Sequence, residues 1–224
     1  GFINSTFMRD DESKVNRFRL LAQVVKNQLK SLVEKPIEEG DVSTFIKVKL
    51  LYQSCMNQEK IETIGLQPLK EFLNEIGGWP VVTSNWTASN FSWYKTIYKF
   101  RKTGLGIDFL FNFYVDVDLE NSSARALAID QPNLNLPQKT FMKGSNYSVV
   151  KAYSQYMVDI AVALGADKET ANRDMKDVLE FEIKLAEISL PEERRANMSL
   201  LYNKMTIQGL TAKHPNISWL EYIN

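Results

Sequence analysis

Cysteine and histidine are almost missing from this sequence. Its 224 residues hold one of each, Cys55 and His214. One histidine cannot supply a two-histidine metal site, and no cysteine cluster takes its place. A serine–histidine–aspartate triad is excluded too, because the only imidazole sits in a tail loop before Pro215. Net charge is absent: 27 basic residues balance 27 acidic ones. Nothing in that balance argues for nucleic acid or an anionic membrane as partner. No apolar run approaches the roughly 20 residues that span a bilayer. A glycine-rich phosphate loop is lacking, as are internal repeats, low-complexity runs and an evident interdomain linker. Gly1–Asp10 has neither the charged start nor the long apolar core of a signal peptide. It does not read as a natural start either.

What is present is an ordinary globular composition, 44% hydrophobic and 24% charged. The length suits one large or two small domains. The Asn-x-Ser/Thr sequon is the pattern in excess. Seven Asn-x-Ser/Thr sequons occur, at Asn4, Asn85, Asn90, Asn121, Asn146, Asn197 and Asn216, where chance alone would give about two. A secreted or lumenal surface carrying glycans accounts for the excess. In such a compartment an odd cysteine either pairs outside the chain or is a buried thiol.

Helical spacing dominates. Phe18, Leu21, Val25, Leu29 and Leu32 predict a helix over about 13–34, with Ser13 as its cap. Asp41 is the expected cap of a second helix, whose stripe is Phe45, Val48, Leu51, Tyr52 and Cys55. The stripe puts Cys55 on the apolar side, where a thiol is usually inert. Gln67–Ile76 forms a shorter helix that Gly77-Gly78 closes. Trp79-Pro80 follows as an anchored loop, and 83–92 as a polar one. Tyr94, Ile97, Tyr98 and Arg101 resume the helical spacing. Val149, Tyr153, Tyr156, Ile160 and Leu164 mark a long helix. After the break at Gly165, Asp167 caps another, with Met175, Val178, Leu179, Ile183, Leu185 and Ala186 facing the core. Ser189-Leu-Pro-Glu192 has the spacing of a capping box. Thr206 and Ser218 start two short helices.

One stretch breaks the helical pattern. From Ile107 to Asp118, Phe109, Phe111, Phe113, Val115 and Val117 alternate with mostly polar residues, which is the period of a strand. Residues 119–123 form a turn and 124–129 a returning strand. An isolated hairpin is marginal in water, so helices are expected to cover its aromatic face. The fold class is therefore mainly α, a multi-helix lobe with one inserted β-hairpin at about residues 107–130. Asp116 and Asp118 share the polar strand face and could hold a cation, but a solvated edge is the preferred reading. Glu180 and Glu182 read as an isolated pair, and His214 as a surface loop residue. These residues assemble no active site.

Four segments carry a resemblance. Leu50-Leu-Tyr-Gln-Ser-Cys-Met56, Gly77-Gly-Trp-Pro80, Ile129-Asp-Gln-Pro-Asn-Leu-Asn-Leu-Pro137 and Leu200-Leu-Tyr-Asn-Lys-Met-Thr206 occur in the order and at the spacing seen in the neprilysin and endothelin-converting enzyme family. These are the M13 zinc metallopeptidases. The chain resembles part of their N-terminal non-catalytic lobe, so residues 1–224 are expected to belong to a single helical lobe of a larger parent. The resemblance implies an extracellular protein, secreted or the ectodomain of a type II membrane protein. It implies zinc in the parent's catalytic domain, held by a His-Glu-x-x-His helix and a later glutamate, none of which is in this chain. The lobe would act as a lid and size filter over a cavity that admits small peptides. Its partners would be the catalytic lobe of the same polypeptide and those peptides. Cys55 matches a family cysteine that forms a disulfide with one much further along, so its partner is expected outside these residues. Lys14, with Arg17 close by, falls near a family arginine that contacts the substrate carboxylate. A lysine there would lack the bidentate fork. The extra cysteine pair common in the family after the hairpin is missing from Lys139–Met157. The alternative is a catalytically inactive homologue that acts as an extracellular binding or structural protein.

Overall fold

Asparagine and glycine punctuate the start of the fold. The computed structural model describes residues 6–8, 14–106 and 109–223, the side chain of Asn90 excepted. Contacts divide the chain into two compact units, Gly1–Gly65 and Leu66–Asn224. In the first unit, α1 (Arg17–Val33) starts at Asn16, whose Oδ1 accepts from the Arg19 amide at 2.9 Å. Such a cap satisfies one of the free amides of a helix start. The expected cap Ser13 lies outside the described residues, as do Asn4 and Ile107. Helix α2 (Ser43–Met56) follows, then α3 (Gln58–Ile64), which Asn57 caps and Gly65 ends at φ 59°.

Two expectations fail in this unit. Asp41 does not cap α2, whose N-cap Val42 makes no side-chain bond. Its carboxylate instead takes the Glu38 amide at 3.2 Å and the Lys49 ammonium at 2.6 Å. The Lys49 ammonium also donates to the Pro36 carbonyl at 2.8 Å. Second, the apolar stripes are not core. Among the described residues of the unit Lys49 is the only buried one. Phe18, Leu21, Leu29, Val48 and Leu51 are exposed, and Cys55 is an exposed free thiol. The buried-thiol reading is therefore corrected: the α2 stripe is not packed over, so Cys55 stays open to solvent.

The second unit holds the cores. Helix α4 (Gln67–Ile76) has Pro68 in its first turn and ends at Gly77, φ 119°. Helix α5 (Trp93–Lys102) buries Ile97, and Phe72 of α4 meets Phe100 of α5 edge-on at 5.9 Å. Strands β1 (Asn112–Val117) and β2 (Arg125–Asp130) pair antiparallel, with Phe113 opposite Ile129 and Val115 opposite Leu127. Helix α6 (Gln138–Phe141) carries the fully buried Phe141. Helices α7 (Ser148–Ala163) and α8 (Lys168–Ile188) pack together through the turn at Gly165, φ 109°. Asp167 caps α8 as expected, accepting from the Thr170 amide at 2.9 Å. Short helices α9 (Glu192–Arg195), α10 (Met198–Leu201), α11 (Ile207–Lys213) and α12 (Trp219–Ile223) complete the unit.

Among the described residues three apolar clusters fill it. Val81, Val158, Ala161, Ala166, Ala171 and Met175 form one, with Trp79 packed against it. Phe141, Val150, Leu179 and Ala186 form another. Ile97, Trp219 and Tyr222 form the third, under Phe111, Phe113 and Ile129 of the hairpin region. The buried face of α7 differs from the expected stripe. Val150, Val158 and Ala161 are inside, while Val149, Tyr156 and Ile160 are exposed. The hairpin is covered over only part of its length. Phe111 and Phe113 pack on the third cluster, but Phe109, Val115 and Val117 are exposed. Ser189 does not open a capping box. Its hydroxyl donates back to the Leu185 carbonyl at 2.7 Å.

Candidate functional site

The acidic and amide side chains that leave the hairpin converge on one region, the end of α8 and the segment after it. Asp118 ends β1, and its backbone amide still bonds to the Ala124 carbonyl. Its side chain is nearly buried. Tyr202 donates its hydroxyl to one carboxylate oxygen at 2.6 Å, and the Lys204 ammonium donates to the other at 2.5 Å. The Glu120 amide adds a bond at 3.0 Å. The Lys204 ammonium, then Tyr202, holds the Asp118 carboxyl well below the usual carboxylate range. Tyr202 in turn is pushed up to about 12 by its bond to Asp118 and by burial. The solvated-edge reading of Asp118 is thus corrected, and its oxygens are engaged by donors of this chain. Asp116 remains on the exposed strand, bonded to the Val117 amide.

The residues after β2 repeat the pattern. Asp130 receives both guanidinium arms of Arg195, at 2.8 and 2.6 Å, and the Gln131 amide at 2.8 Å. A fork of this kind is stronger than a single neutral bond. It lowers the Asp130 carboxyl and raises Arg195. The side chain of Gln131 pairs with the backbone of Leu190 in both directions, at 3.0 and 2.8 Å. Asn135 donates to the Tyr153 hydroxyl at 3.0 Å and to Glu182 at 2.8 Å. Tyr153 donates to the other Glu182 oxygen at 2.6 Å, so burial and then Glu182 raise its pKa. Glu182 is therefore a network member, whereas its supposed partner Glu180 sits on the exposed face with Lys176. Gln138 donates to the Ala186 and Ser189 carbonyls.

These groups are consumed by one another. Each carboxylate faces a cation or a hydroxyl of its own chain, an arrangement that fixes geometry and leaves no free base. Among the described residues no group of three or more His, Cys, Asp or Glu could hold a metal ion. His214 is exposed and offers its carbonyl to the Trp219 indole at 3.0 Å. Lys14 and Arg17 are exposed in the first unit.

The family model for peptidase family M13 matches residues 1–224. The chain belongs to the M13 peptidases. It corresponds to their N-terminal region. Neprilysin-2 of Drosophila melanogaster is 37% identical over 217 residues, which is 96% of this chain and 28% of that protein. Endothelin-converting enzyme 1 of Rattus norvegicus is 30% identical over 228 residues, covering 100% of this chain and 29% of the enzyme. The mouse enzyme is 31% identical over the same length. The chain thus spans under a third of the length of these curated relatives.

In this M13 chain two of the four segments that carry the likeness supply the clasps. Asp130, Gln131 and Asn135 come from Ile129–Pro137, and Tyr202 and Lys204 from Leu200–Thr206. Sequence alone gave no sign of Arg195 and Gln138 and showed Tyr153 only as part of a helical stripe; their partners lie 65, about 50 and 29 residues away. Of the sequon asparagines, Asn85, Asn121, Asn146, Asn197 and Asn216 are exposed. Asn4 and the side chain of Asn90 fall outside the described part.

Proposed function

We propose that this chain is the non-catalytic lid and size-filter lobe of an extracellular, neprilysin-like zinc metalloendopeptidase that cleaves small peptides. The observation that carries the reading is the M13 match over residues 1–224. The clasp chemistry supports it, because the polar residues of Ile129–Pro137 and Leu200–Thr206 are engaged in holding the fold. The described residues do not fit a zinc site, so no catalytic step is assigned to them. Zinc and its ligands belong, on this reading, to the catalytic domain of the parent, where the metal would polarise the scissile carbonyl and activate water. The lobe contributes steric exclusion: a covered cavity admits short chains and refuses folded proteins.

Cys55 supports the same assignment. It is exposed and has no second cysteine in the chain, as a half-cystine with a partner elsewhere in the polypeptide would be. Alkylation of the denatured, non-reduced intact protein should leave it unlabelled, and labelling would remove the disulfide from the reading. The activity is tested by incubating the intact protein with a series of peptides of increasing length and with a folded substrate. Hydrolysis should fall sharply with size, stop on zinc chelation and return with zinc. Equal cleavage of long and short substrates would defeat the size filter. No hydrolysis at any length would favour the inactive binding homologue.

A further inference from the structure

We propose that Asn121, in the hairpin turn, carries an N-linked glycan that shields the uncovered half of the hairpin. The turn sequence Asn121-Ser-Ser123 is a sequon, and Asn121, Ser122 and Ser123 are all exposed. The Asn121 Oδ1 accepts from the Ser123 amide at 3.1 Å, so this bond holds the carbonyl side of the amide and not its nitrogen. The clasp at Asp118 holds the base of the turn. The acceptor is therefore presented on an exposed, hydrogen-bonded turn.

The hairpin has a reason to be shielded. Among the described residues it is a sheet of two strands, so each strand keeps one edge that no described strand pairs, and open edges template pairing with other chains. Its covered face runs out quickly. Phe113 and Ile129 pack on the third cluster, yet the next pair on that face, Val115 and Leu127, is 64% and 43% exposed. Val117 and Leu119 are exposed as well. The strand rise separates these pairs by only about 7 Å, which leaves the apolar patch next to the turn. A branched, hydrated oligosaccharide rooted there sweeps the volume through which a second strand would approach.

The chemistry is a glycosyl transfer. The Asn121 Nδ2 attacks the anomeric carbon of an oligosaccharide carried on a lipid diphosphate. The N–C bond forms as the C–O bond to the diphosphate breaks. The lipid diphosphate leaves, and the amide proton passes to a base of the transferase. The proposal rests on the extracellular part of the preceding reading but not on peptidase activity, so its failure and a failure of that activity are told apart.

The test is a glycopeptide map of the intact protein secreted from animal cells, with enzymatic deglycosylation in heavy-oxygen water to mark each occupied asparagine. Asn121 should be marked. Ser123→Ala keeps the asparagine and its backbone bond but removes the acceptor, and Ser123→Thr keeps the acceptor. The first should lose one glycan's mass and the second should not. Sedimentation should then find Ser123→Ala self-associating at several-fold lower concentration. Trimming glycans from the folded wild-type protein should do the same, which separates shielding from any folding defect. An unmarked Asn121 overturns the proposal. A glycan whose loss by both routes leaves self-association unchanged overturns the shielding role.

Discussion

Residues 14–65 and residues 66–223 are both helical, but they are held together differently. The first unit shows strong stripes on α1 and α2, and the residues of those stripes are mostly exposed. Its described bonds include caps at Asn16 and Asn57, the Lys49 ammonium shared between Asp41 and the Pro36 carbonyl, and the Tyr52 hydroxyl on Glu34. The second unit has three apolar clusters, and polar side chains from the hairpin reach across it to the end of α8 and beyond. The contrast teaches that amphipathic spacing identifies a helix without identifying a core. A stripe becomes core only where a second surface is present to exclude water, as between α7 and α8.

The same substitution in the two units gives the widest contrast. Phe141 is fully buried, and Phe141→Ala should cost about 3–5 kcal/mol in chemical denaturation. A loss below about 1 kcal/mol would mean that the second cluster is not a core. Next comes pH. Asp118 and Asp130 sit below their ordinary values in the fold, so the unfolded chain takes up protons first. Their stabilisation is present above about pH 4 and is lost as pH falls through the lowered folded values. Hydrogen-exchange protection, taken relative to the unstructured chain at the same pH, should hold at residues 112–130 and 200–204 down to about pH 4 and fall below it. A fall near pH 6 would contradict the clasp. Tyr202 works in the opposite direction, since its pKa is raised from 10.0 to about 12. Its contribution is full below pH 10.0 and fades as pH rises toward 12.

A smaller effect belongs to the forked pair. A double-mutant cycle on Asp130→Ala and Arg195→Ala should yield a coupling of about 1 kcal/mol, because the pair is only partly removed from water. Zero coupling would reduce the fork to a surface contact. The smallest effect is in the first unit. Phe18 is 84% exposed, and Phe18→Ala should change stability by no more than about 0.5 kcal/mol. A loss comparable to that of Phe141→Ala would erase the distinction between the units.

Much of the element order was legible because local signals set it. Pro68 and Gly77 bound α4, Asp167 and Thr206 cap their helices, and the period-two run of aromatics marks β1. The buried faces were less legible. Large residues dominate a stripe by eye, yet Ala161, Ala166 and Ala171 are among the buried residues. A small side chain is what lets two helices approach, and it contributes little to apparent amphipathicity. The clasps were not legible at all. Asp118 meets Lys204 at a separation of 86 residues, and no local rule pairs residues that far apart. Conversely, the motifs that identified the family say nothing locally about why their polar residues are there. Only their partners in space do.

Gln138 has a bearing on how the chain is assembled in time. Its amide receives no help from neighbours in sequence and donates to carbonyls 48 and 51 residues later, at the last turn of α8. Helix ends leave carbonyls without partners, and α8, at 21 residues the longest among those described, ends without a basic residue in its last turn. At roughly 5–20 residues per second of synthesis, Gln138 leaves the ribosome several seconds before Ser189. The stopping point of the helix is therefore laid down in advance, as a receptor already waiting for the segment that will complete it.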